Sequence, residues 1–514
     1  RLEGLRAEAL AAGRTPRYDG LCRRLDPAAA AAREAAGEPA ALRLAVPARE
    51  VAFDDLIRGT VRISSEVISD FIIVRSDERF ERAILDDLAW LGLGWDEGPE
   101  VGGPYGPYRQ AERAPLYREA AERLLAAGKA YRCFCSEERL EGLRAEALAA
   151  GRTPRYDGLC RRLDPAAAAA RQAAGEPAAL RLAVPAREIV FDDLIRGTVR
   201  ISSDVISDFI IVRSDGMAGY NFAVVVDDIA MAITHVIRGD DHLTNTARQL
   251  LLYDALGATP PAFAHHAMIL APDGGKLSKR HGAAAVGDFR ELGYLPQAIV
   301  NYIGLLGWSH GGDEVLGLER LVADFDLGRL SGSPAEFDMA KLDWLDHEWI
   351  MAASDDEHER RVGERLPAGT PVPAIKALAA ACKPSLVRYG DAPAFASQVL
   401  ERPALEGEAR RAAQAARDRL ALFAGLRREA GAGWLTSDEA RDLLGAYRLL
   451  GKEHGFSPRD LLMPLRLVLT GREHGPELHY VLAALDGRET IARVDAGLGA
   501  DLTRTAHPDQ GDQR

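Results

Sequence analysis

Tyr220-Asn221-Phe222-Ala223-Val224-Val225-Val226-Asp227-Asp228 opens the run whose reading decides the fold, and Thr234-His235-Val236-Ile237-Arg238-Gly239-Asp240-Asp241-His242 continues it. Leu243, Ala247, Leu250 and Leu251 then recur at helical spacing, with Gly257 as a stop. The run reads as strand, polar turn, helix and next strand (Ala264 to Leu270). A turn-forming stretch follows, Ala271-Pro272-Asp273-Gly274-Gly275, whose two glycines suit hinges. Lys276-Leu277-Ser278-Lys279-Arg280 comes next, three cations and a hydroxyl in five residues. Such alternation predicts an α/β fold with a parallel sheet, ligand residues sitting at the carboxyl ends of its strands. Fixed positive charge on a flexible loop suits neutralisation of a triphosphate; a solvated basic turn is the plainer reading.

The stretches YNFAVVVDD, THVIRGDDHLTNTARQ and LSKRHGA together resemble the second half of the nucleotide-binding core of the class I aminoacyl-tRNA synthetases. Within that class they are similar to the bacterial glutamate–tRNA ligases, and Lys276–Arg280 matches the second class signature. The resemblance implies a Rossmann-type parallel sheet, an α+β acceptor-stem insert and an all-α C-terminal anticodon-binding domain.

Residues 1–77 recur at 139–215 and differ at four aligned pairs: Glu34/Gln172, Val51/Ile189, Ala52/Val190 and Glu66/Asp204. Identity this high is foreign to a solenoid of diverged units. After the first copy, ERFERAILDDLAWLGLGWDEGP resembles the family segment that follows the first strands of the catalytic domain. The family's first signature, His-x-Gly-His, belongs before residue 78 and occurs nowhere in this sequence. Because the chain starts with Arg1, the expectation is a piece of a longer product in which a 138-residue unit is duplicated in tandem. A recombined gene that never carried the signature is the rival.

A chain of 514 residues holds three or four domains. No apolar run approaches the roughly 18 residues of a membrane span, so no membrane partner is expected. Lys plus Arg at 64 against Asp plus Glu at 77 gives −13, so a nucleic acid would have to meet local basic patches. Five cysteines in this length argue for a reducing cytoplasm over a disulfide framework.

Three of those cysteines are Cys133, Cys135 and Cys160. In the family such a set can hold a structural Zn2+, but Arg162 stands where the family's fourth ligand, a histidine, would be. Tyr156 is the candidate substitute, as a tyrosine four residues before the last cysteine serves in a related tRNA-modifying synthetase. Three unmetallated thiols are the alternative. The first copy keeps Tyr18 and Cys22 without an upstream pair and is expected to bind no metal.

Elsewhere, Phe80, Ile84, Leu88 and Leu91 fall on one helical face with Asp77 at its start. An amphipathic helix is expected around Leu116 to Ala130 and another from Pro296 through Ile299, Ile303 and Leu306. The Phe337–Leu345 segment matches the family's stem-contact region. Met463–Arg466 and Gly471–Leu478 resemble its helical anticodon-binding domain, and the lack of a β-rich C-terminal half argues against a glutamine–tRNA ligase. The expected organisation is 1–77 as a partial duplicate of the insert, 78–132 as the first part of the catalytic domain and 133–215 as the insert. The second catalytic half spans 216–320, the stem-contact region 321–372 and the anticodon-binding domain 373–514.

The resemblance implies ATP-dependent joining of L-glutamate to tRNA(Glu) through an adenylate, with Mg2+ as the nucleotide's counterion, in a monomer. It places Lys279 on the ATP phosphates with Lys276, Ser278 and Arg280 in support, Asp241 and Ile269 on the nucleotide, and Tyr220 and Arg238 on glutamate. An acidic helix cap, a structural ion pair and a core tyrosine are the plain readings of Asp241, Arg238 and Tyr220. Two functional alternatives stay open: a tRNA-binding fragment impaired in catalysis, and an enzyme that also loads glutamate on tRNA(Gln).

Overall fold

The structure is a computed structural model; it describes residues 42–44, 50–55, 59–64, 71–74 and 77–499, apart from 276 and 278–284. The chain divides into two compact units, residues 1–94 and 95–514. In the first, strand Leu42–Leu44 pairs antiparallel with Phe71–Val74, and Glu50–Asp55 pairs with Gly59–Ser64. Helix Asp77–Leu91 follows, as its apolar spacing requires.

The duplicated sequence makes the same pairs in the second unit. Ala179–Leu182 pairs with Ile210–Val212, and Glu188–Asp193 pairs with Gly197–Ser202 in the register of the first copy. Here both sheets are extended. Ala130–Cys133 adds antiparallel to Ala179–Leu182. The hairpin's Asp193 meets Phe263 of strand Ala262–His266. That strand pairs parallel with His235–Gly239 over its full length, Arg238 opposite His265. The four-stranded sheet therefore runs His235–Gly239, Ala262–His266, Glu188–Asp193, Gly197–Ser202.

Three expectations are corrected by this structure. Tyr220–Ala230 is a helix, although its run of three valines reads as extended. Phe222, Ala223, Val225 and Val226 are buried with Leu251 and Leu252 of helix Leu243–Leu256 and Tyr117 and Leu124 of helix Ala114–Ala126. That burial overrides the modest cost of β-branched residues in a helix. The amphipathic helix expected to reach Ala130 stops at Ala126; Gly128 takes a left-handed conformation (φ 65°) and Ala130 already belongs to a strand.

The stretch expected as one strand from Ala264 is two, Ala262–His266 and Ile269–Leu270, the second pairing parallel with Ala335–Glu336. Helix Pro296–Leu305 starts at its proline as expected. In the Phe337–Leu345 segment, Asp338 caps helix Met339–Ala352 by accepting from the amides of Ala340 (2.8 Å) and Lys341 (3.2 Å). From Met339 to Leu498 the described residues contain helices and no strand, packed around one apolar cluster that includes Phe423, Tyr447 and Leu465. Within that bundle Arg466 donates to the Pro476 carbonyl (2.7 Å), so its guanidinium is committed to the fold. Among the described residues no helix is long and apolar enough to cross a membrane.

Candidate active site

Parallel pairing brings the carboxyl ends of His235–Gly239 and Ala262–His266 to one side of the sheet. Arg238 sits near that end, half-buried. Its Nε faces His265 Nε2 (3.2 Å), and its Nη2 donates to Thr246 Oγ1 (2.6 Å) and Gln249 Oε1 (2.7 Å). Thr246 and Gln249 are three residues apart and so share one face of helix Leu243–Leu256. Among the described residues nothing accepts from Nη1. With Nε and both Nη2 hydrogens committed, Nη1 is left as the donor for a substrate carboxylate.

Gly239 follows, and the chain turns into the short Asp240–His242 3-10 helix. A Cβ on Gly239 would lie 2.8 Å from Asp241 Oδ1, so a larger residue there would displace that carboxylate. Asp240 is committed to Arg196 (2.6 Å). Asp241 is exposed and makes no hydrogen bond to a described residue, and no side chain caps helix Leu243–Leu256. Asp241 thus makes no capping hydrogen bond, although it lies in the first turn of Asp240–His242. Tyr220 is the first residue of its helix, 54% exposed, with its ring 6.3 Å from that of His242. Tyr220, Arg238 and Asp241 thus share one neighbourhood.

Ile269 is half-buried in the strand that leads to the basic loop. The glycine turn expected to hinge is tied at its base. The Ala271 amide donates to the Gly275 carbonyl (2.8 Å), the Gly274 amide to the Ala271 carbonyl (2.8 Å), and the Gly275 amide to Asp273 Oδ1 (2.9 Å). Lys276, Ser278, Lys279 and Arg280 lie outside the described residues.

Sequence reasoning missed the groups that hold these residues. Arg238 opposes His265 only through strand register, and His265 in turn meets Asp193 from a distant hairpin. It also missed Asp227, which accepts from buried Arg113 Nε (2.6 Å), the Tyr117 hydroxyl (2.9 Å) and Gln110 Nε2 (3.0 Å). A lone basic residue facing the sequence-distant Asp227 carries no local signal.

The structure brings the three cysteines and Tyr156 together. The Sγ atoms of Cys133, Cys135 and Cys160 lie within 4.8 Å of one another, and the Tyr156 hydroxyl is 3.6 Å from those of Cys133 and Cys135. Burial works against ionising Cys133, but hydrogen bonds from Arg181 and the Cys135 amide outweigh it and shift that thiol down, while burial pushes the Cys135 thiol up to about 11. Arg139 Nη1 stands 3.4 Å from Cys135 Sγ.

Residues 1–79 and again 73–344 match the catalytic domain of the class I tRNA synthetases for E and Q, and residues 361–498 match an anticodon binding domain. The chain is 43% identical to the glutamate–tRNA ligase of Carboxydothermus hydrogenoformans over 83% of this chain and 91% of that relative. It is 44% identical to that of Heliobacterium modesticaldum, over 83% and 88%. Among solved structures, a glutamate tRNA ligase from Elizabethkingia meningosepticum in complex with its amino acid aligns with a TM-score of 0.71 at 28% identity. That match covers 82% of this chain and 89% of that one. A strand-end arginine on a parallel sheet, an all-helical C-terminal part and these matches agree: the chain belongs to the glutamate–tRNA ligases of the class I tRNA synthetase family.

Proposed function

We propose that this chain joins L-glutamate to tRNA(Glu) in two steps: the glutamate carboxylate attacks the α-phosphate of ATP, pyrophosphate leaves, and the adenylate passes to the terminal ribose of the tRNA. Positioning and charge neutralisation dominate such phosphoryl chemistry, with little covalent work for side chains. Arg238 takes a substrate carboxylate and the Tyr220 hydroxyl supports the same ligand. Asp241 meets the ATP ribose, Ile269 lines the purine side, and Lys279 contacts the phosphates with Lys276, Ser278 and Arg280. Mg2+ accompanies the nucleotide.

The observation that carries this reading is Arg238, anchored through Nε and Nη2 at a parallel-strand terminus, in a chain of this family. The domain limits proposed from the sequence and a cytoplasmic monomer go with it. Glutamate-dependent ATP–pyrophosphate exchange by the 514-residue chain, with and without tRNA, is the test. Exchange supports the ligase; tRNA binding without exchange supports a non-catalytic tRNA-binding protein instead. In the exchanging chain, Lys279→Ala is expected to lower adenylate formation on the order of 10²-fold, as for loss of one transition-state contact. Near-normal exchange would remove Lys279 from the phosphate site.

Cys133, Cys135, Cys160 and Tyr156 fit a structural Zn2+, supported by the mutual reach of three Sγ atoms and the adjacent phenol. Bound there, the ion would fasten strand Ala130–Cys133 to the 156–160 turn. Metal analysis of the intact chain should then return about one equivalent, falling in Cys160→Ser; less than about half an equivalent in the parent discards the site.

A further inference from the structure

Asp193 and His265 form a pair whose side chains are both 0% exposed, His265 Nδ1 lying 2.6 Å from Asp193 Oδ2. The other carboxylate oxygen accepts from the amides of Ile195 (3.0 Å), Arg196 (2.9 Å) and His265 (3.2 Å). The imidazole is walled by Phe263, stacked at 6.2 Å, and by Phe191 edge-on at 6.5 Å. Its second nitrogen, Nε2, meets Arg238 Nε at 3.2 Å and Thr246 Oγ1 at 2.9 Å.

These partners fix the ring's protonation. An ionised carboxylate only accepts and a guanidinium only donates. The nitrogen toward Asp193 must therefore carry hydrogen, and the one toward Arg238 must not. Nε2 then shares its one lone pair between Arg238 Nε–H and the Thr246 hydroxyl, and Thr246 accepts from Arg238 Nη2. Burial lowers the pKa of His265, and Arg238 and Arg196 lower it further against the pull of Asp193, which keeps the ring neutral.

We propose that Asp193 and His265 are positioning residues for Arg238: the carboxylate locks the Nδ1–H tautomer, and the freed Nε2 lone pair aims the guanidinium at the substrate carboxylate. This deepens the ligase reading and rests on it. It also gives the 188–202 hairpin a part in the substrate site. Arg196, three residues beyond Asp193, donates to the His265 carbonyl (3.2 Å) and pairs with Asp240 beside Asp241.

A purely structural fastener between hairpin and sheet is the competing account, and two variants separate them. In His265→Asn the amide replaces Nδ1 and keeps the bond to Asp193, but nothing faces Arg238. In His265→Gln the carboxamide oxygen replaces Nε2 and keeps the acceptor for Arg238, but the bond to Asp193 is lost. Binding of L-glutamate, and separately of ATP, to the full chain is measured by calorimetry, with thermal midpoints alongside.

Positioning predicts that His265→Asn weakens glutamate about 10- to 100-fold, the range for a lost bond to a charged group. Its ATP affinity and thermal midpoint stay near the parent's. His265→Gln should bind glutamate within about threefold while melting lower. A fastener predicts the reverse order, and equal glutamate affinity in both variants likewise overturns the proposal. Should His265→Asn fail to fold, Asp193→Asn, which frees the tautomer, must weaken glutamate with ATP affinity retained; unchanged glutamate affinity overturns it. Nitrogen NMR of the parent must show His265 protonated at Nδ1 alone at neutral pH, and an imidazolium there overturns it independently of ligand. If the parent binds no L-glutamate, the ligase reading falls first and takes this inference with it. If the parent binds and the variants do not differ, only this inference falls.

Discussion

Replacing Arg238 with alanine is expected to lower kcat/KM for glutamate in pyrophosphate exchange by about 10²- to 10³-fold, as for truncating one member of a desolvated charge pair. The loss should appear mainly as a raised KM for glutamate, with the KM for ATP within about threefold of the parent's. Arg238→Lys should recover only a small part. Lysine supplies a point charge, whereas the guanidinium spreads donors over Nε, toward His265, and Nη2, toward Thr246 and Gln249, leaving Nη1 for a ligand. An ammonium that satisfied those three acceptors would have no donor left aimed at substrate. A kcat/KM within tenfold of the parent's in Arg238→Ala would show that glutamate is held elsewhere.

How much of this was legible follows from the range of each signal. The strand His235–Gly239 and helix Leu243–Leu256 announce themselves within a few residues, by an apolar stretch and by spacing with a terminal glycine. Tyr220–Ala230 defeated the same reasoning because its three valines favour strand locally. Only packing against two other helices, one of them a hundred residues upstream, makes a helix the better burial. Arg238, and the set Cys133, Cys135 and Cys160, were singled out by their resemblance to the family's motifs. His265 and Asp193 were not, because one depends on strand register and the other on a hairpin reaching the sheet. The duplicated segment makes the point in one chain. Glu50–Asp55 and Glu188–Asp193 have nearly the same sequence and the same hairpin partner, and the second also pairs with Phe263. Local sequence specifies the hairpin; its neighbour in the sheet comes from the surrounding chain.

Arg113→Ala should destabilise the catalytic part of the second unit by about 3–5 kcal/mol, the cost of stranding one buried charge of a pair. Arg113 is 1% exposed and Asp227 12%. Besides its bond to Asp227, Arg113 Nη1 donates to the carbonyls of Pro107 (2.7 Å) and Tyr105 (3.3 Å), so lysine should not rescue. The Tyr117 hydroxyl stays protonated, its pKa raised by burial and by Asp227, and cannot replace the lost positive charge. Residues 127–219 leave and return between helices Ala114–Ala126 and Tyr220–Ala230, and this ion pair ties the two ends of that excursion. Closing so long a loop costs entropy that local contacts at its base must offset. The expected readout is amide exchange, with protection over 105–126 and 220–230 falling about 10²- to 10³-fold while the 437–498 helices hold theirs. Adding Asp227→Asn to Arg113→Ala should restore part of that protection, since the uncompensated carboxylate is then gone. Unchanged protection in the single variant, or a double variant worse than the sum of its parts, would mean that apolar packing alone closes the loop and that Tyr220 reaches the substrate side without this tie.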